Sequence, residues 1–131
     1  MKKGILLNSS ISEVVASMGH TDLLVICDSG LPIPETTKKI DISLTKGIPG
    51  FIEAVKTVLS ELEVEEAFVA NEMVEISPDL FDTLKEILGK IPVAFITHEE
   101  FKSTVKNAKA CIRTGECTPF ANAILKSGTT F

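Results

Sequence analysis

The chain has 131 residues, enough for one domain with a self-sufficient core and too few for two. Hydrophobic residues make up 44% and charged residues 24%, which excludes a chain disordered throughout. A net charge of −5, without a basic stripe or any Trp or Tyr, removes the usual driving forces for binding nucleic acid.

After Lys2-Lys3 the only apolar stretch is Ile5-Leu6-Leu7, too short for a secretory leader, and no later run approaches the length of a membrane span. Ile11, Val14, Val15 and Met18 keep one helix face, with Ser10 and Glu13 as a possible capping box and Gly19 as the stop. Leu23 to Cys27 is a short continuous apolar run, the pattern of a strand covered on both faces. Asp28-Ser29-Gly30 ends it, and Leu31-Pro32-Ile33-Pro34 reads as an extended loop. Ile40, Ile42 and Leu44 alternate with polar residues, which predicts a second strand. Pro49 can start a helix whose face holds Phe51, Val55, Val58, Leu59 and Leu62.

Ala67 to Ala70 predicts a third strand, and Ser77-Pro78 a helix running through Leu84 and Leu88 to Gly89. Val93 to Ile96 is another strand, and Thr97 with Glu100 can cap a short helix through Phe101 and Val105. Ala110 to Arg113 and Ala121 to Leu125 close the chain as two strands around the loop 114–120. Strand and helix alternate, so the expected fold is α/β over residues 1–131, a three-layer, Rossmann-like, mostly parallel sheet. The two closing strands predict an antiparallel edge.

In such sheets ligands bind beyond the carboxyl ends of the strands, which directs attention to Asp28, Asn71-Glu72 and Thr97-His98. Asp28 can cap a turn, or orient a sugar hydroxyl or an imidazole. Glu72 reads as a solvated carboxylate. His20 and His98 are the only histidines, and His20 serves either as a turn residue or as a general acid/base near neutral pH. The three cysteines Cys27, Cys111 and Cys117 form no C-x-x-C pair, which favours a reducing, cytoplasmic setting over a disulfide framework. Neither metal-ligand spacing nor a nucleotide-binding glycine loop occurs, so no cofactor is expected.

Several separated stretches together are more specific than any of these signals. Gly19-His20-Thr21-Asp22, Asp28 to Pro34, Lys39-Ile40-Asp41, Thr97 to Lys102, Ile112 to Glu116 and Thr118 to Asn122 resemble the D-ribose pyranase family, in order and over essentially the whole chain. The resemblance implies a cofactor-free isomerase that interconverts β-D-ribopyranose and β-D-ribofuranose, supplying furanose for ribose catabolism. It implies His20 as the proton donor, with Asp28, His98, Lys102, Phe120, Ala121 and Asn122 binding the sugar. It also implies a homodecamer of two pentameric rings, with His20 and the Phe120 loop meeting across chains. The family pattern has Tyr where this chain has Phe120, which removes a hydroxyl and keeps an aromatic face. A fucose-type mutarotase and a non-catalytic sugar-binding subunit linked to ribose transport are the competing functions.

Overall fold

A computed structural model describes all 131 residues. The first helix, α1 (Ser9–Ser17), is capped by Asn8, whose Oδ1 accepts the Ile11 N–H at 2.9 Å. The expected Ser10–Glu13 box is therefore not the start, because Asn8, an equally good cap, takes the role two residues earlier. The helix ends as Met18 turns extended, one residue before Gly19. Strand β1 (Leu23–Cys27) follows, and Leu24 to Cys27 have no exposed surface.

Strand β2 (Lys39–Asp41) is shorter than the alternation suggested, and Leu44 beyond it is exposed. Helix α2 (Phe51–Leu59) begins after Gly50, with Glu53 accepting the Gly50 N–H at 3.0 Å. Strand β3 (Val64–Ala70) leads straight into a short helix, α3 (Asn71–Ile76), and then into α4 (Pro78–Leu88). Strand β4 (Val93–Ile96) precedes α5 (His98–Val105), where Thr97 and Glu100 form the expected capping box. The chain closes with β5 (Ala110–Arg113) and β6 (Ala123–Ser127).

The six strands form one sheet in the order β2-β5-β1-β6-β3-β4. Strand β5 is parallel to both β1 and β2, and β3 is parallel to β4, while β6 runs antiparallel between β1 and β3. The α/β class and mixed sheet agree with expectation, but the antiparallel strand is central rather than at an edge. Both sides of β5 are taken by β1 and β2, so the last strand cannot pair with it, and it lies between β1 and β3 instead. Ala123, Ile124 and Leu125 are fully buried, as a strand with neighbours on both sides and layers above and below requires.

Alternate residues of β1 face two different layers. Leu24 and Ile26 join the 22-residue core with Ile11 and Val14 of α1, Phe51, Val55 and Val58 of α2, and Leu84 and Leu88 of α4. Val25 and Cys27 join a thinner, seven-residue core with Phe101 and Val105 of α5 and Leu31. The second layer is thus α5 and a loop, which leaves the carboxyl end of β1 open on that side.

Candidate functional site

Strand β1 delivers Asp28 to the sheet's rim, and its antiparallel neighbour β6 starts from the same rim one residue after Asn122. The two residues bind reciprocally. Asp28 N–H donates to Asn122 Oδ1 at 2.9 Å, and Asn122 Nδ2 donates to Asp28 Oδ2 at 3.1 Å. Asp28 Oδ1 accepts the Gly30 N–H at 2.9 Å, which folds the turn back on its own carboxylate. Asn122 is 1% exposed, with its carboxamide bonded to Asp28, and Ala121 is fully buried.

His98 opens α5 from the end of β4. Its backbone N–H donates to both Glu72 oxygens, at 3.1 and 3.3 Å, so Glu72 anchors the start of α5 and is not a free surface carboxylate. The His98 ring stands edge-on to Phe120, with centroids 5.0 Å apart and planes at 87°. Its Nδ1 is buried and has no protein partner. Asp28, Gly30, Leu31, Pro32, His98, Pro119 and Phe120 line one pocket of about 240 Å³. A carboxylate, an imidazole and an aromatic face around such a volume suit a small polyhydroxylated ligand.

The loop 114–122 is fastened from several sides. Glu116 accepts from the Phe51 N–H at 3.1 Å and from the Cys117 N–H, Thr118 N–H and Thr118 hydroxyl. Burial alone would push the Glu116 carboxyl up, but these hydrogen bonds outweigh it and hold the carboxyl below its usual range. The Glu116 carbonyl accepts the Ser29 N–H at 2.8 Å, and Arg113 donates to the Ser29 carbonyl at 2.9 and 3.1 Å. A Cβ on Gly115 would overlap the carbonyl oxygens of Thr45 and Ile48, so only glycine permits this close crossing of the 45–49 loop.

Of the expected site residues, Asp28, His98 and Phe120 line this pocket, Ala121 and Asn122 are buried behind it, and two others stand farther off. Lys102 sits one turn along α5 and pairs with Glu99 at 2.6 Å. His20 precedes the opposite end of β1, where its Nε2 lies 2.7 Å from Glu65 Oε2. Lys126, and then His20, hold the Glu65 carboxyl below its usual range. His20 lines a second cavity of about 350 Å³ with Met18, Glu63, Gly128, Thr129 and Phe131. The five-residue β1 carries the chain about 17 Å, so the imidazole and Asp28 of one chain cannot hold the same small ligand.

No group of three or more His, Cys, Asp or Glu is placed to hold a metal ion, and no helix is long and apolar enough to cross a membrane. A second groove, of about 250 Å³, lies between the 6–8 segment, α1 and α2, with Glu53 its only charged residue.

The profile of the RbsD / FucU transport protein family matches residues 1–130. The chain belongs to this family. It is 58% identical, over the whole of both chains, to a D-ribose pyranase of Thermoanaerobacter sp. (strain X514). Bacillus subtilis RbsD complexed with D-ribose superposes with a TM-score of 0.97 at 41% identity, each chain covered completely. A Streptococcus pneumoniae fucose mutarotase in complex with L-fucose superposes at 0.82 and 21% identity, covering 95% of this chain and 94% of that one, and shares the fold.

Proposed function

We propose that this chain is a D-ribose pyranase, an isomerase that converts β-D-ribopyranose to β-D-ribofuranose and back. The carrying observation is the Asp28–His98–Phe120 pocket in a chain that superposes at 0.97 on a ribose-complexed relative. Opening the ring takes a proton from the anomeric hydroxyl and gives one to the ring oxygen. Reclosure through a different hydroxyl reverses both transfers, so one acid/base group serves in both directions.

In this reading Asp28 accepts from sugar hydroxyls, with its second oxygen held by Asn122. His98 offers a ring nitrogen, Phe120 packs its face on the sugar carbons, and Lys102 reaches a hydroxyl on leaving Glu99. His20, oriented by Glu65, is the proton donor. Since it stands at the far end of β1 from the pocket, it serves the pocket of a neighbouring copy. That requirement supports the homodecamer of stacked pentameric rings that the family resemblance implies. The 131 residues act as one domain, and three free cysteines fit a cytoplasmic location.

The test is NMR of ribose at equilibrium, reading exchange between pyranose and furanose signals. Acceleration by the protein supports the proposal, and unchanged exchange with ribose bound would leave a sugar-binding subunit instead. Acceleration for fucose but not ribose would make it a fucose-type mutarotase. Treatment with EDTA is expected to leave exchange unchanged, and a loss restored by one divalent ion would overturn the cofactor-free mechanism.

Phe120→Tyr is expected to tighten ribose binding about threefold to tenfold, the effect of one neutral hydrogen bond. The rate at saturating ribose should hold, because His20 is untouched. Calorimetric titration of the two proteins checks this, and equal or weaker binding would show that no sugar hydroxyl lies within reach of position 120.

A further inference from the structure

Ser77 occupies the N-cap position of α4, immediately before Pro78. A serine there ordinarily accepts a hydrogen bond from an N–H of the first helical turn. Ser77 makes no such bond. Its hydroxyl turns instead to another part of the chain and donates to the Pro119 carbonyl at 2.8 Å. The residue is 8% exposed, and its own N–H and C=O are already paired within α3 and α4, to Met73 O and Phe81 N–H. The hydroxyl is therefore the one polar group of Ser77 that serves the loop.

The carbonyl it holds belongs to the peptide plane joining Pro119 to Phe120. Orientation of that plane fixes φ of Phe120, which is +61°. A bulky side chain rarely adopts this left-handed region and stays there only where the surroundings impose it. On the other side of Phe120 its carbonyl accepts the Asn122 N–H at 2.8 Å. The 120–121 plane is pinned by Asn122 and by the Ala121 N–H, which donates to the Thr118 carbonyl at 3.3 Å, and the 119–120 plane by Ser77. The outcome of that backbone is the Phe120 ring held perpendicular to the His98 ring, in contact with it at the pocket wall.

We propose that Ser77 is a positioning residue for the sugar pocket, holding Phe120 in its left-handed conformation by fixing the Pro119 carbonyl. The proposal deepens the ribose reading and rests on it for its effect on binding. Its effect on the ligand-free pocket is independent of what the pocket takes. Without the hydroxyl, the 119–120 peptide can rotate, Phe120 can relax to negative φ, and its ring leaves His98. Sugar affinity then falls while proton transfer by His20 proceeds as before.

The experiment compares the full-length parent with Ser77→Ala and Ser77→Thr. NMR of the ligand-free proteins reads the cross-relaxation between the Phe120 and His98 rings, calorimetry reads ribose affinity, and ribose exchange reads catalysis. Ser77→Ala is expected to lose the inter-ring signal and to raise the ribose dissociation constant about threefold to tenfold. Exchange at saturating ribose should change less than about twofold, the pattern of a lost ground-state contact. Ser77→Thr, which keeps a hydroxyl, should restore signal and affinity together. If Ser77→Ala does not fold, Ser77→Gly removes the same hydroxyl from a residue type accepted at N-caps, and its readouts decide. An unchanged inter-ring signal, or a Thr variant no better than Ala, would overturn the proposal. A parent that binds no ribose would refute the ribose reading alone, since the ligand-free signal still decides the role of Ser77.

Discussion

His20→Ala is expected to fold and assemble like the parent and to slow ribose ring exchange by about 10²–10⁴-fold, the worth of a positioned acid/base group. Folding should be spared because the side chain is half exposed and its one polar contact is the surface pair with Glu65. The stronger form of the test uses a second inactive variant, Asp28→Asn. In the parent chain His20 and Asp28 stand at opposite ends of β1, so a complete site draws them from two copies. Co-refolding the two variants in equal amounts then places an intact His20 against an intact Asp28 in about a quarter of head-to-tail contacts. Recovery of about a quarter of parental exchange is the expected result. Each variant alone, or the two mixed without subunit exchange, should stay inactive. No recovery after verified mixing would mean that one chain supplies both groups, and full activity of His20→Ala alone would remove it as the proton donor.

That separation could not be read from the sequence, where His20 lies close to Asp28 and invites a shared site. An extended strand undoes proximity along the chain, because the residues on either side of it emerge at opposite rims of the sheet. Strands that coincide with a compact apolar run were legible to the residue, as with Leu23–Cys27 and Val93–Ile96. The two strands that pair charge across the sheet were not. Val64–Ala70 begins three residues before its apolar run, and Ala123–Ser127 extends beyond its own, because Glu65 and Glu66 meet Lys126 across the two strands. Inside a pairing of opposite charges, a Glu or Lys no longer marks the end of a strand.

Within the pocket, Asp28 and His98 were visible as polar residues just past apolar runs. Their supports were not. Glu72 holds the His98 N–H from 26 positions away and Ser77 holds Pro119 from 42, and neither pairing leaves a local pattern. Helix α3 escaped for a related reason: Met73 is its only buried residue, so no apolar face announces it.

Glu116→Ala is expected to lower stability by about 2 kcal/mol near neutral pH and to weaken ribose binding with it. The carboxylate accepts four hydrogen bonds, from Phe51, from Cys117 and twice from Thr118. A bond to a charged group contributes about 1.5–3 kcal/mol, but bonds sharing one partly solvated carboxylate do not add. The Phe51 N–H is an open donor at the start of α2, where the helix dipole also favours a negative group. Alanine leaves that end without its anion and frees the turn that leads through Thr118 and Pro119 to Phe120. The loss has a pH signature. Because the folded-state carboxyl titrates below its ordinary value of 4.5, its stabilisation is complete above that value and disappears as pH falls through the folded-state pKa. The gap between parent and variant should therefore be widest from pH 6 to 7 and close in acid. Urea unfolding of both proteins across that range measures it, with ribose titration at pH 7 alongside. A gap that stays constant into acid would mean that the charge on Glu116 does not fasten the loop. A gap that closes while ribose affinity stays parental would confine Glu116 to stability and leave the pocket to Asp28, Asn122 and Ser77.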